Sequence, residues 1–152
     1  MKKDVIKLSS QITKWLSPFC KKIEIVGSIR RGEKSPGDID IVLIPKNKEK
    51  IKEILSKKGK FVKGGELIHT YKIEDVKVEL YFTNSNEWGA TLMTYSGPRG
   101  ANIGLRIIAR TKGFKLTQHG LFNRKTGKRI AGKTEGEIYK ALNRPYKEPW
   151  ER

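Results

Sequence analysis

Cysteine occurs once, at Cys20, so this 152-residue chain cannot form an internal disulfide. Its two histidines, His69 and His119, join no grouping with the spacing of a zinc site. Long apolar runs are also missing, so no segment is expected to span a bilayer. The basic start Met1-Lys2-Lys3-Asp4 lacks the apolar stretch of a signal peptide. No internal repeat or low-complexity linker interrupts the chain. Together these absences exclude a disulfide scaffold, a zinc module and a helical membrane protein. An intracellular protein is expected, whether of the cytoplasm, of the nucleoid or viral, with Cys20 as a small buried apolar residue.

Acidic residues are scarce beside basic ones: 16 Asp+Glu stand against 33 Lys+Arg, for a formal net charge of +17. A field this positive attracts polyanions, and nucleic acid is the commonest of them. An anionic membrane surface is the weaker alternative, because no long amphipathic stretch accompanies the charge. Hydrophobic residues, at 36%, suffice for one compact domain or two small subdomains.

Periodicity gives the element order. Val5, Ile6, Leu8, Ile12, Trp15, Leu16 and Phe19 recur at helical spacing over 4–19, with Pro18 marking the end. A strand follows over 23–26, then a nearly continuous apolar strand over 38–44 of the kind found inside a sheet, then a helix over 47–56. Strands are expected at 61–62, 67–72 and 76–82, with turns at Gly64-Gly65 and Glu74-Asp75. Helical patterns return at 87–95 and 101–111. Short strands at 114–116, 121–122 and 129–130 precede a last helix over 134–142, where Thr134 and Glu137 suit a capping box. This is an α+β layout: a mixed sheet flanked by helices over 1–96, then a smaller α+β subdomain over 97–152.

The stretch from Gly27 to Asp40 carries the chemistry. A strand runs into Gly27-Ser28, where glycine lets backbone N–H groups approach a phosphate closely. Ser28 adds a hydroxyl donor and Arg31 a charged fork suited to phosphate oxygens. Beyond Pro36-Gly37 the chain enters a strand bearing Asp38 and Asp40. Residues two apart on a strand share a face, so both carboxylates point one way while Ile39 and Ile41 point into the core. Carboxylates held side by side repel each other, and a divalent cation between them resolves that.

Gly27-Ser28-x-Arg30-Arg31-Gly32, four residues, then Gly37-Asp38-Ile39-Asp40 resembles the signature of family X DNA polymerases, the group of DNA polymerase beta. The resemblance implies a nucleotidyltransferase palm followed by a small C-terminal subdomain. It implies that Gly27, Ser28, Arg31 and Gly37 bind the triphosphate and that Asp38 and Asp40 ligate two Mg2+ ions, with Mn2+ as a possible substitute. The family places a third carboxylate on a neighbouring strand. In Val76-Lys77-Val78-Glu79-Leu80-Tyr81-Phe82 the matching residue is Glu79, one methylene longer than the family's aspartate. Downstream, Thr94-Tyr95-Ser96-Gly97 with Asn102 and Arg106 is similar to the family's aromatic-x-Gly segment and the helix after it. By this likeness Tyr95, Gly97 and Asn102 contact the nucleotide, Tyr95 at the sugar, while Arg106 and Arg99 contact DNA and bases. The segment Lys112 to Phe122 and the close from Glu137 to Arg152 also look like the family's C-terminal subdomain, with Tyr139 and Trp150 expected in its core. His69 and His119 are expected to be structural or on the surface.

The resemblance spans the chain from about Ile23 to its end, in the form of small viral members that carry only palm and C-terminal subdomain. It implies a DNA-directed DNA polymerase, expected to be monomeric, that takes a dNTP and gapped or primer–template DNA in short-gap repair. Two rival readings are a minimal nucleotidyltransferase acting on a protein, RNA or small molecule, and a non-catalytic DNA-end-binding module.

Overall fold

The computed structural model describes residues 4–152. The chain divides into two compact units, one up to Thr83 and the other Asn84–Arg152.

In the first unit, α1 (Val5–Leu16) is capped by the Asp4 side chain, which accepts from the backbone of Lys7. Its apolar stripe buries Leu8, Ile12 and Leu16. A 3₁₀ turn, Ser17–Phe19, carries Pro18 and leads into β1 (Cys20–Val26). A single helical turn, α2 (Gly27–Arg30), then separates β1 from β2 (Ile39–Pro45). After α3 (Lys48–Lys58), capped by Asn47, come β3 (Lys60–Gly64), β4 (Ile68–Ile73) and β5 (Val76–Phe82). The sheet order is β1-β2-β5-β4-β3, and β2 runs parallel to β5 while every other pair is antiparallel. The Glu74-Asp75 turn has φ values of 48° and 68°, as a two-residue hairpin loop of type I′ requires.

Strand alternation divides the sheet into two faces. Ile39, Ile41 and Leu43 of β2, with Val78, Leu80 and Phe82 of β5 and Tyr71 and Ile73 of β4, join α1 and α3 in one core. His69 is buried there too, bonded to the Gly65 carbonyl and set edge-on to Phe82 and Phe61, which makes it structural as expected. Cys20 is buried, which raises its thiol to about 11 and leaves it inert at neutral pH. The other face presents Asp40, Val42 and Ile44 of β2 and Lys77, Glu79 and Tyr81 of β5. There Val42, Ile44 and Tyr81 are buried.

The second unit contains α4 (Trp88–Ser96), α5 (Arg99–Thr111), β6 (Phe114–Thr117), β7 (Gly120–Asn123), β8 (Arg129–Ala131) and α6 (Glu135–Ala141). The three strands form an antiparallel sheet. Ala90 and Met93 of α4 pack with Leu105, Ala109, Leu121, Ile138 and Tyr139 in a separate core. The break between units therefore falls before α4, not at the expected position after residue 96. Gly89 shows why: a Cβ there would sit 2.2 Å from the Thr134 backbone, so α4 is seated directly on the start of α6. The capping box of α6 is present as expected. Tyr139 is in the core, but Trp150 is 65% exposed and contributes nothing to it. The buried ion pair near the end of the chain is instead Arg152–Glu135, at 2.7 Å.

Candidate active site

Parallel pairing of β2 with β5 sets the register Asp40↔Glu79, and β4 places Thr70 opposite Glu79. Cross-strand partners project to the same side, so the two carboxylates stand next to each other on that face of the sheet. Asp38 lies in the bend just before β2 and is exposed. It is near enough, with Glu79, for its charge to act on Asp40. Burial pushes the Asp40 carboxyl above the usual aspartate range; the Tyr81 hydroxyl, donating to Asp40 Oδ1 at 2.9 Å, pulls it back. The charges of Glu79 and Asp38 push it up again, and Lys77 lowers it.

Lys77 sits two residues before Glu79 on the same face. Its ammonium contacts Glu79 Oε1 at 2.8 Å, and this bond raises the lysine's own proton affinity. Among the described residues no group of three or more His, Cys, Asp or Glu side chains is drawn together closely enough to hold a metal ion. The donor chemistry nevertheless suits one. Asp40 is partly buried and feels the like charges of Glu79 and Asp38, and oxygen-only side chains of this kind fit a hard divalent cation.

The turn between β1 and β2 touches the same spot. Val26 pairs with Asp40, and Gly27 follows with φ +66°. A Cβ on Gly27 would lie 2.5 Å from Asp40 Oδ2, so any side chain here would strain the backbone and displace the carboxylate. Ser28 sits within α2, which the periodicity did not foresee because one helical turn leaves no repeat. Arg31 forms an ion pair with the exposed Glu33 at 2.6 Å. Gly37 lies in open surroundings, where a Cβ would meet nothing within 4 Å.

The remaining expected site residues belong to the second unit. The Tyr95 hydroxyl donates to Gln118 Oε1 at 2.7 Å, and Asn102 Nδ2 donates to the Thr94 carbonyl at 3.0 Å. Gly97 has φ +65° and closes α4. Arg99 and Arg106 are exposed on α5. Sequence reasoning missed Tyr81, Lys77 and the partner of His119. The partner is Glu87, 32 residues away in sequence, whose Oε1 pairs with the histidine Nδ1. The shared strand parity of Lys77, Glu79 and Tyr81 was the available signal for the first two.

Comparison with known proteins identifies the family. The DNA polymerase beta palm family model matches residues 2–87, and the DNA polymerase beta thumb model matches residues 91–152. The repair DNA polymerase X of African swine fever virus (strain Badajoz 1971 Vero-adapted) is 30% identical over 156 residues, covering 95% of this chain and 87% of the viral one. DNA polymerase IV of Saccharomyces cerevisiae is 37% identical over 73 residues, or 48% of this chain and 12% of the yeast protein. Among solved structures, Leishmania infantum polymerase beta in a ternary P/T complex aligns with a TM-score of 0.77 at 20% identity, over 96% of this chain and 72% of that one. With palm and thumb both matched along one chain, this protein belongs to family X of the DNA polymerases, a family of nucleotidyltransferases.

Proposed function

We propose that the chain is a DNA-directed DNA polymerase that transfers a nucleotide from a dNTP to a primer 3′-hydroxyl, acting as a monomer to fill short gaps during repair. The observation that carries this reading is the Asp40–Glu79 pair on adjacent parallel strands, with the Gly27 turn against Asp40. Asp38, Asp40 and Glu79 would hold two Mg2+ ions, for which Mn2+ can substitute. Such ions, when bound, neutralise charge on the attacking and leaving oxygens.

The chain's own residues supply the rest. Ser28 and Arg31 orient the β- and γ-phosphates, and Arg31 is already held by a carboxylate, that of Glu33, much as phosphate oxygens would hold it. Tyr81 fixes the rotation of the Asp40 carboxylate through its hydroxyl. Glu79 accepts the proton of the 3′-hydroxyl as that oxygen bonds to the α-phosphorus and the pyrophosphate oxygen departs. The reading assigns Tyr95, Gly97 and Asn102 to the nucleotide, and Arg99 and Arg106 to DNA.

Primer extension on gapped DNA, with Mg2+ or Mn2+, tests the proposal. Wild-type protein should extend the primer by the gap length, and Asp40→Ala should abolish extension. Labelling of a protein or RNA with no extension on any template would replace this reading with transfer to another acceptor. DNA binding with no metal-dependent reaction would leave a binding module.

A further inference from the structure

One side of α4 is committed to a single turn. Glu87, Thr91 and Tyr95 are spaced four apart and so lie on one helical face. All three bond to Gln118-His119, the two residues between β6 and β7. The Tyr95 hydroxyl donates to Gln118 Oε1 at 2.7 Å, the Thr91 hydroxyl donates to the Gln118 backbone carbonyl at 3.1 Å, and Glu87 Oε1 pairs with His119 Nδ1. Gln118 Nε2 lies 3.4 Å from His119 Nε2. The backbone of the turn is held as well: Thr117 Oγ1 accepts from His119 N, and the Arg129 guanidinium donates to the His119 carbonyl.

With the imidazole neutral, the side-chain bonds can be ordered in only one direction. A carboxylate accepts and does not donate, so His119 carries its proton on Nδ1, toward Glu87. His119 Nε2 is then an acceptor and takes a proton from the Gln118 amide nitrogen. An amide whose nitrogen faces His119 must turn its oxygen the other way, toward the Tyr95 hydroxyl. Glu87 thus determines the His119 tautomer, His119 determines the Gln118 amide orientation, and Gln118 holds the Tyr95 ring.

We propose that Gln118 is the positioning residue for Tyr95, kept in that orientation by the His119–Glu87 pair, and that it thereby sets the enzyme's discrimination between deoxyribose and ribose. This rests on the reading of Tyr95 as the residue beside the incoming sugar. An aromatic ring excludes a 2′-hydroxyl only while its position is held to a fraction of an ångström, and a part-buried hydrogen bond at its hydroxyl limits its swing.

The test compares kcat/KM for a dNTP and the matching rNTP on gapped DNA, with thermal melts of every variant as a control for folding. Gln118→Leu and Tyr95→Phe should each reduce the dNTP/rNTP ratio by about fivefold to tenfold, the scale of one lost neutral hydrogen bond. The double variant should lose no more than either single one, because both changes break the same bond. Gln118→Glu retains an acceptor for Tyr95 and should stay within about twofold of wild type; it also serves as the informative variant if Gln118→Leu fails to fold. Additive losses in the double variant, or an unchanged ratio in Gln118→Leu, overturn the proposal. Tyr95→Ala separates the two ideas. If it leaves the ratio unchanged, the sugar reading of Tyr95 falls and the proposal with it; if it collapses the ratio while Gln118→Leu does not, only the positioning role falls. A long-range 1H–15N spectrum of wild-type protein adds a readout independent of activity: His119 should show a protonated Nδ1 and a bare Nε2, and the opposite tautomer would reverse the relay and refute it.

Discussion

Asp40 meets four neighbours at once: the Gly27 backbone behind it, the Tyr81 hydroxyl on one oxygen, and the charges of Glu79 and Asp38. Because burial, more than those charges, raises its proton affinity in the folded state above the unfolded value, ionising it opposes folding. Its contribution to stability is complete below the ordinary aspartate range and is lost as pH rises through the raised value. Asp40→Asn, which keeps an acceptor for Tyr81 and carries no charge, should therefore raise the melting temperature of the metal-free protein near neutral pH. The gain should shrink as the pH falls toward about 4. The same substitution should lower nucleotidyl transfer on the order of 10³-fold. Melting curves across pH beside primer extension check both, and a lower melting temperature at neutral pH would contradict the account. At Glu79, Lys77→Met removes the cation that now competes for the carboxylate. Mn2+ affinity followed by electron paramagnetic resonance should tighten, and an unchanged affinity would make Lys77 a bystander. At this scale the acidic residues were legible, because Asp-x-Asp and the strand bearing Glu79 are local patterns. Tyr81 and Lys77 as their partners were not legible, because a bond from Tyr81 to a residue 41 positions away depends on strand pairing.

Elements show the same division. Gly27→Ala must accommodate both a φ of +66° and a Cβ 2.5 Å from Asp40 Oδ2. It should destabilise the protein by about 1–2 kcal/mol and lower kcat on the order of 10²-fold by displacing the carboxylate. Thermal melts and single-turnover kinetics would separate the two effects. In α6, Thr134 Oγ1 accepts from Glu137 N at 3.1 Å, and Glu137 Oε2 accepts from Thr134 N at 3.0 Å. Thr134→Ala should cost about 1 kcal/mol, read as an earlier denaturation midpoint. This capping box was visible in the sequence because its two residues are three apart and answer each other's backbone. The single turn of α2 was not visible, since four residues carry no period. Glu87, Thr91 and Tyr95 form a stripe that periodicity contains, but the turn it meets lies more than twenty residues downstream.

The whole molecule adds charge and division. A net charge of +17 on a DNA polymerase makes binding to DNA depend on phosphate contacts and counterion release. Affinity for gapped DNA should fall by about 10³-fold or more between 50 and 200 mM salt. Arg106→Ala, on the exposed face of α5, should make the slope of log affinity against log salt shallower by about one. Fluorescence anisotropy over a salt series measures both, and an unchanged slope would remove Arg106 from the DNA contacts. Composition, the order of the longer elements and the glycine–arginine–aspartate signature followed from the sequence alone, because each is a pattern within a few turns or a single strand. Where the units divide was decided by packing: the side chains of α4 fit the second core, and Gly89 seats that helix on α6. Trp150 is exposed for a related reason, since a hydrophobic residue is buried only where a cavity of its shape exists, and chain composition does not specify one. The parallel pairing of β2 with β5, which sets Glu79 beside Asp40, likewise belongs to tertiary structure, because register between strands separated by a helix and two other strands is settled by which faces bury together.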